Sequence, residues 1–136
     1  MSLGGVTLVQ DIRFGKISCL VLAGLPILFG HAARADGDAA AGKVIFTKCM
    51  ACHSPDAGVN KVGPSLHGIV GRPSHSVADY AYSDAMRAYN VTWDAATLDK
   101  YLVDPRGTVP GTKMIFAGIK KDQDRQNLIS YLGTLK

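Results

Sequence analysis

Two thiols and an imidazole stand within five residues, Cys49-Met50-Ala51-Cys52-His53. Cysteines three positions apart followed at once by histidine form the C-x-x-C-H pattern for covalent attachment of a c-type haem. The chemistry explains the spacing. Each thiol adds to one vinyl group of the porphyrin, and two intervening residues on a helical turn let both sulfurs reach neighbouring vinyls. The next side chain, His53, can then meet the iron on one face of the ring. A thioredoxin-type redox pair would need a strand-to-helix βαβ setting, which the sequence does not offer. A structural zinc site needs four ligands, and no second cysteine pair exists. His67 and His75 are rival metal ligands in principle, but their spacing fits no zinc pattern, and loop histidines are more often surface or backbone-bonding residues.

An iron held by His53 on one side leaves a sixth position, and what fills it decides the function. An open position allows binding of, or chemistry on, small ligands. A permanent protein ligand favours electron transfer, because the iron then changes oxidation state with little rearrangement. Beyond the N-terminal leader the methionines are Met50, Met86 and Met114. Met50 lies inside the attachment turn and is unable to reach the opposite face. Met86 falls in a short helical segment, where packing is its ordinary use. Met114 sits in a loop punctuated by Gly and Pro, where no amphipathic pattern calls for an apolar side chain. It is the strongest candidate.

The elements that must position these groups begin after a leader. Arg13 and Lys16 precede the apolar run Ile17 to Phe29, and Ala33-Arg34-Ala35 offers a small-x-small cleavage site, which together read as a secretory signal peptide. The run is short of the roughly 20 residues that span a bilayer, and Pro26 interrupts it. Cys19 near its start is discarded with it. The sequence therefore divides into a cleavable signal at 1–35 and one domain at 36–136, exported to the periplasm. The net charge of +4 drops by two when Arg13, Lys16, Arg34 and Asp11 leave. So small a surplus argues against general nucleic-acid binding, which wants a dense basic face. An exported domain with no cysteine to spare for a disulfide fits stabilisation by a covalent cofactor.

Within the domain, Asp38 can cap a helix over Ala39 to Met50, with Gly42 and Phe46 on one face. Ser54 to Ser83 is rich in Gly and Pro and has no helical or alternating period. A structureless stretch of that length is uncommon unless it has a function, and wrapping a cofactor supplies one. Ser83 or Asp84 can cap a short helix through Tyr89. A further helix is expected from about Asp94 to Val103, stopping before Pro105. Gly107 to Gly118 reads as loop, and a last helix from about Asp122 to Leu135 carries Leu128, Ile129, Tyr131, Leu132 and Leu135. The expected fold is all-α, about four helices with long loops around one haem.

The order Gly42-Lys43-x-x-Phe46, Cys49-Met50-Ala51-Cys52-His53, Gly63-Pro64-x-Leu66-His67-Gly68, Thr92-Trp93, Tyr101-Leu102 and Pro110-Gly111-Thr112-Lys113-Met114-x-Phe116-Ala117-Gly118 resembles class I cytochromes c, of the mitochondrial type and its exported bacterial relatives. The resemblance implies a role at each matching position. Met114 would be the sixth ligand beside His53, and the Pro64 carbonyl would take the imidazole proton. Gly42 and Phe46 would pack the first helix across the last, on Leu128 and Tyr131. Arg72, Tyr82 and Trp93 would hold the haem propionates, Tyr101 and Thr112 would bond around the methionine, and Phe116 would lie beside the exposed haem edge. Met86 departs from the pattern, since an asparagine in a water-linked network is usual there.

Lys48, Lys61, Lys113, Lys120 and Lys121 would ring that edge and form a docking face for acidic partners. The implied function is a soluble monohaem carrier of single electrons, a monomer and not an enzyme. It would pass electrons from a quinol-oxidising membrane complex to a terminal oxidase or a photosynthetic reaction centre, touching the membrane surface only transiently. The alternative is a haem-based small-ligand binder or peroxidase with a labile sixth ligand.

Overall fold

Asp38 opens the first helix as expected. Its carboxylate accepts from the backbone N–H groups of Ala40 and Ala41, at 2.8 and 3.3 Å, and so satisfies donors that a helix start leaves orphaned. The structure, a computed structural model, describes residues 37–136. The leader at 1–35, its cleavage after Ala35 and Cys19 lie outside the described residues.

Five helices follow in order: α1 (Ala39–Phe46), α2 (Asp84–Ala88), α3 (Ala95–Val103), α4 (Pro105–Thr108) and α5 (Asp122–Leu132). The fold class is the expected one, all-α with long loops, and no strand longer than an isolated bridge between Pro73 and Thr92 occurs among the described residues. Ser83 caps α2 through a bond to the Met86 N–H, and Asp94 caps α3 through one to the Thr97 N–H.

Three boundaries differ from expectation. α1 ends at Phe46, not Met50. From Thr47 to Met50 each N–H bonds three residues back rather than four, the tighter winding that short turns use at helix ends. α5 likewise ends at Leu132, after which Thr134 and Leu135 continue in turns of the same kind. Pro105 does stop α3, but it also occupies the first turn of α4, where its missing N–H costs nothing. Asp104 accepts from the Gly107 N–H to close that short helix, so the expected loop starts only after Thr108.

The principal helix contact is α1 across α5. Gly42 faces the α5 backbone so closely that a Cβ there would lie 2.0 Å from the Asn127 carbonyl oxygen and 2.8 Å from the Tyr131 Cβ. One turn on, the Phe46 ring meets Tyr131 at 5.1 Å between centroids, tilted by 55°. Phe46 and Leu128 are each only 1% exposed. Polar side chains also hold α5 in place. Asn127 Oδ1 accepts from the Asp38 N–H at 2.8 Å. The buried Arg125 donates to Asp99 of α3 at 2.8 Å, to Asp122, and to the carbonyls of Ile119 and Lys120. Together these bonds fix α5 against α3 and against the loop that precedes α5.

Because the neighbour of Gly42 is backbone rather than a flexible side chain, Gly42→Ala must push the helices apart. We expect a loss of about 1–3 kcal/mol in denaturant unfolding of the haem-loaded protein. An unchanged midpoint would show that the α1–α5 crossing can relax.

Candidate functional site

The attachment turn presents its three reactive groups through two hydrogen bonds. The N–H groups of Cys52 and His53 both reach the Cys49 carbonyl, at 3.0 and 2.8 Å. The chain then doubles back on itself. Gly63 N–H bonds the Cys52 carbonyl at 2.7 Å, and Leu66 N–H bonds that of Ser54 at 2.9 Å. This brings the Pro64 carbonyl to 2.7 Å from His53 Nδ1. A carbonyl only accepts, so Nδ1 carries the proton and Nε2 is left with a free lone pair.

Burial pushes the His53 pKa below the usual value. The bond to Pro64 opposes that shift and the nearby Lys61 ammonium adds to it. The ring is thus neutral and fixed in the tautomer a metal ligand requires. Gly63 permits the close wrapping, since a Cβ there would stand 2.3 Å from His53 Cε1. Burial also raises the Cys49 thiol to about 11, with Lys48 lowering it and Cys52 raising it further. A disulfide-exchange pair depends on a depressed thiol pKa, and Cys49 has the opposite.

Cys49, Cys52 and His53 line one side of a mostly apolar cavity of about 360 Å³. Every cofactor-binding residue inferred from the sequence lies on its wall: Pro64, Arg72, Tyr82, Trp93, Tyr101, Thr112, Met114 and Phe116 join the attachment residues there. Leu98, Leu102 and Leu128 supply apolar surface from α3 and α5, and the long loop closes the rest. At Met114, the Tyr101 hydroxyl donates to Sδ at 3.3 Å, while Thr112 Oγ1 accepts from the Met114 N–H at 3.3 Å. Met86, on α2, is half-buried against the core and lines the cavity too.

The polar wall lies on the long loop. Arg72 donates to the His67 and Ser65 carbonyls at 2.7 and 2.9 Å, which uses two of its five N–H groups. Among the described residues no carboxylate pairs with it. Burial lowers its pKa, with Tyr82 opposing. A half-buried cation facing a cavity calls for an anion from the ligand. The lining therefore suits a flat apolar ring that carries carboxylates at one end and a metal at its centre. Two thiols, a neutral imidazole and a thioether are at hand to hold it.

The inferred docking lysines divide. Lys48 and Lys113 line the cavity, and Lys61 Nζ bonds the Met50 carbonyl at 2.8 Å beside the attachment turn. Lys120 Nζ instead bonds the Val103 carbonyl at the end of α3, and Lys121 pairs with Asp124 at 3.4 Å. Sequence reasoning passed over Val62 and Ile115, apolar cavity-lining residues that are 78% and 92% exposed. It also set His75 aside as an iron ligand without giving it another place, and His75 is half-buried on the cavity wall. Nothing in its local sequence signals this, because a turn at His75 itself brings it there.

Burial raises the Tyr101 phenol from 10.0 to about 12, with the Thr112 hydroxyl opposing. The unfolded chain releases that proton first, so stability is intact below pH 10 and falls as pH rises towards 12. Tyr101→Phe removes this contribution. Denaturant midpoints measured between pH 9 and about 11.5 should decline less steeply in the variant than in the wild type. Parallel declines would show that Tyr101 is not protected from ionisation.

A sequence model of the family described as cytochrome c matches residues 39–136. The chain is 52% identical over 97 residues to cytochrome c-550 of Nitrobacter winogradskyi, covering 71% of this chain and 89% of that protein. It is 50% identical over 96 residues to cytochrome c2 of Rhodoplanes tepidamans, covering 70% and 90%. Among solved structures, cytochrome cH from Methylobacterium extorquens superposes with a TM-score of 0.68 at 47% identity, over 72% of this chain and 99% of that one.

Proposed function

This chain belongs to the class I cytochromes c, and on that premise we propose that it is a soluble, exported carrier of single electrons. It accepts them from a quinol-oxidising membrane complex and gives them to a terminal oxidase or a photosynthetic reaction centre. Family membership brings one covalently bound haem c, and Cys49 and Cys52 have the spacing that attaches it. When bound, the haem supplies an iron that alternates between ferric and ferrous states. One observation carries the reading: a neutral, tautomer-fixed imidazole and an oriented thioether, His53 and Met114, face the same cavity.

In this reading His53 Nε2 and the soft Met114 Sδ would hold the haem iron, a donor pair that would favour the ferrous state and raise the potential. The Tyr101 hydroxyl draws electron density from Sδ, and Thr112 sets the backbone from which Met114 projects. Arg72, Tyr82 and Trp93 would receive the haem carboxylates, and the half-buried Phe116 would pack against the ring. Held by two side chains of this chain, the iron would change oxidation state with no bond rearrangement. An enzyme's open coordination site is absent from this scheme.

Docking follows from the mouth of the cavity. Exposed Val62 and Ile115 form an apolar rim, with Lys48, Lys61 and Lys113 beside it and Lys120 and Lys121 as outer members. An acidic face on a membrane complex would be steered to this ring, and the apolar rim would let the two redox centres approach. The complex is short-lived and the carrier a monomer. Export by the leader at 1–35 places the protein in the periplasm.

Two measurements test this reading. Met114→Ala should abolish the weak red-edge band of methionine-ligated ferric haem, while Met86→Ala keeps it; loss on Met86→Ala alone would reassign the ligand. Stopped-flow electron transfer to an isolated quinol-oxidising complex or oxidase should slow as salt rises, and Lys113→Glu should slow it by about tenfold at low salt. Rates indifferent to both would remove the docking assignment.

A further inference from the structure

Tyr101 of α3 is 5% exposed, and its hydroxyl donates to Met114 Sδ at 3.3 Å. A thioether is a weak acceptor, so this contact keeps its direction only if the phenol ring is held from elsewhere. Two aromatic rings hold it. The Trp93 ring lies 4.9 Å away between centroids, tilted by 58°, and the Tyr89 ring stacks on it at 6.4 Å with 28° between the planes. Tyr89 and Trp93 also meet each other, at 5.9 Å and 47°. Offset and tilted pairs at such separations attract beyond the area they bury. Trp93 and Tyr101 line the cavity, whereas Tyr89 backs onto them from outside it. It is half-buried, so part of it remains open to solvent.

The backbone leaves Tyr89 little freedom. Its N–H donates to the Ala85 carbonyl at 3.0 Å and closes the end of α2. Its carbonyl accepts from the Ser74 hydroxyl at 2.5 Å. Ser74 is fully buried and also binds Val91 twice. Its hydroxyl accepts from the Val91 N–H at 3.1 Å, and its own N–H donates to the Val91 carbonyl at 2.7 Å. The chain is therefore pinned on both sides of the Tyr89 side chain. Pinning a partly exposed residue through a wholly buried hydroxyl fixes where its ring lies, and that place is against Tyr101.

We propose that Tyr89 is a positioning residue for Met114: its ring clamps Tyr101 so that the hydroxyl stays on Sδ, and it keeps water off that hydroxyl. The inference rests on the carrier reading, in which Met114 would hold the iron. There the Tyr101 proton would draw on the sulfur lone pair. Ferric iron, the more demanding acceptor, would lose more by this than ferrous iron, so a clamped Tyr101 would raise the potential. Without the Tyr89 ring, water competes for the hydroxyl, the bond to Sδ loosens and the potential falls. The effect passes wholly through Tyr101, which separates it from ordinary packing.

The test is a double-mutant cycle on the haem-loaded protein, read as midpoint potentials from optical redox titration at neutral pH. Tyr89→Ala and Tyr101→Phe should each lower the potential, and Tyr89→Ala should add nothing once Tyr101→Phe is in place. Tyr89→Phe, which keeps the ring, should retain the wild-type value. Equal falls from Tyr89→Ala in both backgrounds, an unchanged potential in Tyr89→Ala, or an equal fall in Tyr89→Phe overturns the inference. If Tyr89→Ala fails to fold, Tyr89→Leu takes its place in the same cycle. A wild type without the red-edge band would instead sink the carrier reading, so the two failures are distinguishable.

Discussion

The hydrogen bond from His53 Nδ1 to the Pro64 carbonyl is the contact on which the rest depends. It fixes the tautomer, aims the Nε2 lone pair into the cavity, and ties the attachment turn to the long loop. That loop has little to hold it in place by itself, for it contains no helix and only one isolated bridge. Its order comes from a few rivets: Gly63 and Leu66 on the attachment turn, Ser74 on the segment before Trp93, and Arg72 on its own carbonyls. Each rivet also sets a wall residue of the cavity. Folding of the loop and construction of the site are therefore one event, and the α1–α5 crossing provides the rigid base for both.

Charge is distributed in two layers. Inside, the half-buried Arg72 presents a cation that no described carboxylate neutralises, which suits a bound anion. Outside, lysines at the cavity mouth remain solvated, and their interactions with a partner are screened by salt. In the proposed carrier the inner charge would hold a permanent cofactor, where desolvation strengthens the pairing. The outer charges would guide transient encounters, where strong pairing would slow release.

Much of this was legible in the residues. Helix starts were readable because Asp38, Ser83 and Asp94 cap their own segments, a local effect. The attachment turn and the methionine loop were readable because their chemistry admits few residue types. Helix ends were harder. The backbone tightens after Phe46 with no residue to announce it, Gly133 alone marks the end at Leu132, and Pro105 serves as the stop for one helix and the start of another. Arg125 was invisible as a core residue, since its burial depends on Asp99, 26 positions away. His75 was invisible for the same reason: Ser74 and its partners at Tyr89 and Val91 decide where the imidazole goes.

In the proposed carrier His53 and Met114 would both hold the iron and leave no room for a small ligand. The most direct test is the ferrous spectrum of the purified, haem-loaded protein before and after exposure to carbon monoxide at neutral pH. The account predicts a low-spin spectrum that carbon monoxide leaves unchanged. A high-spin spectrum that shifts at once on addition of the gas would contradict it, and would move the protein to the ligand-binding class.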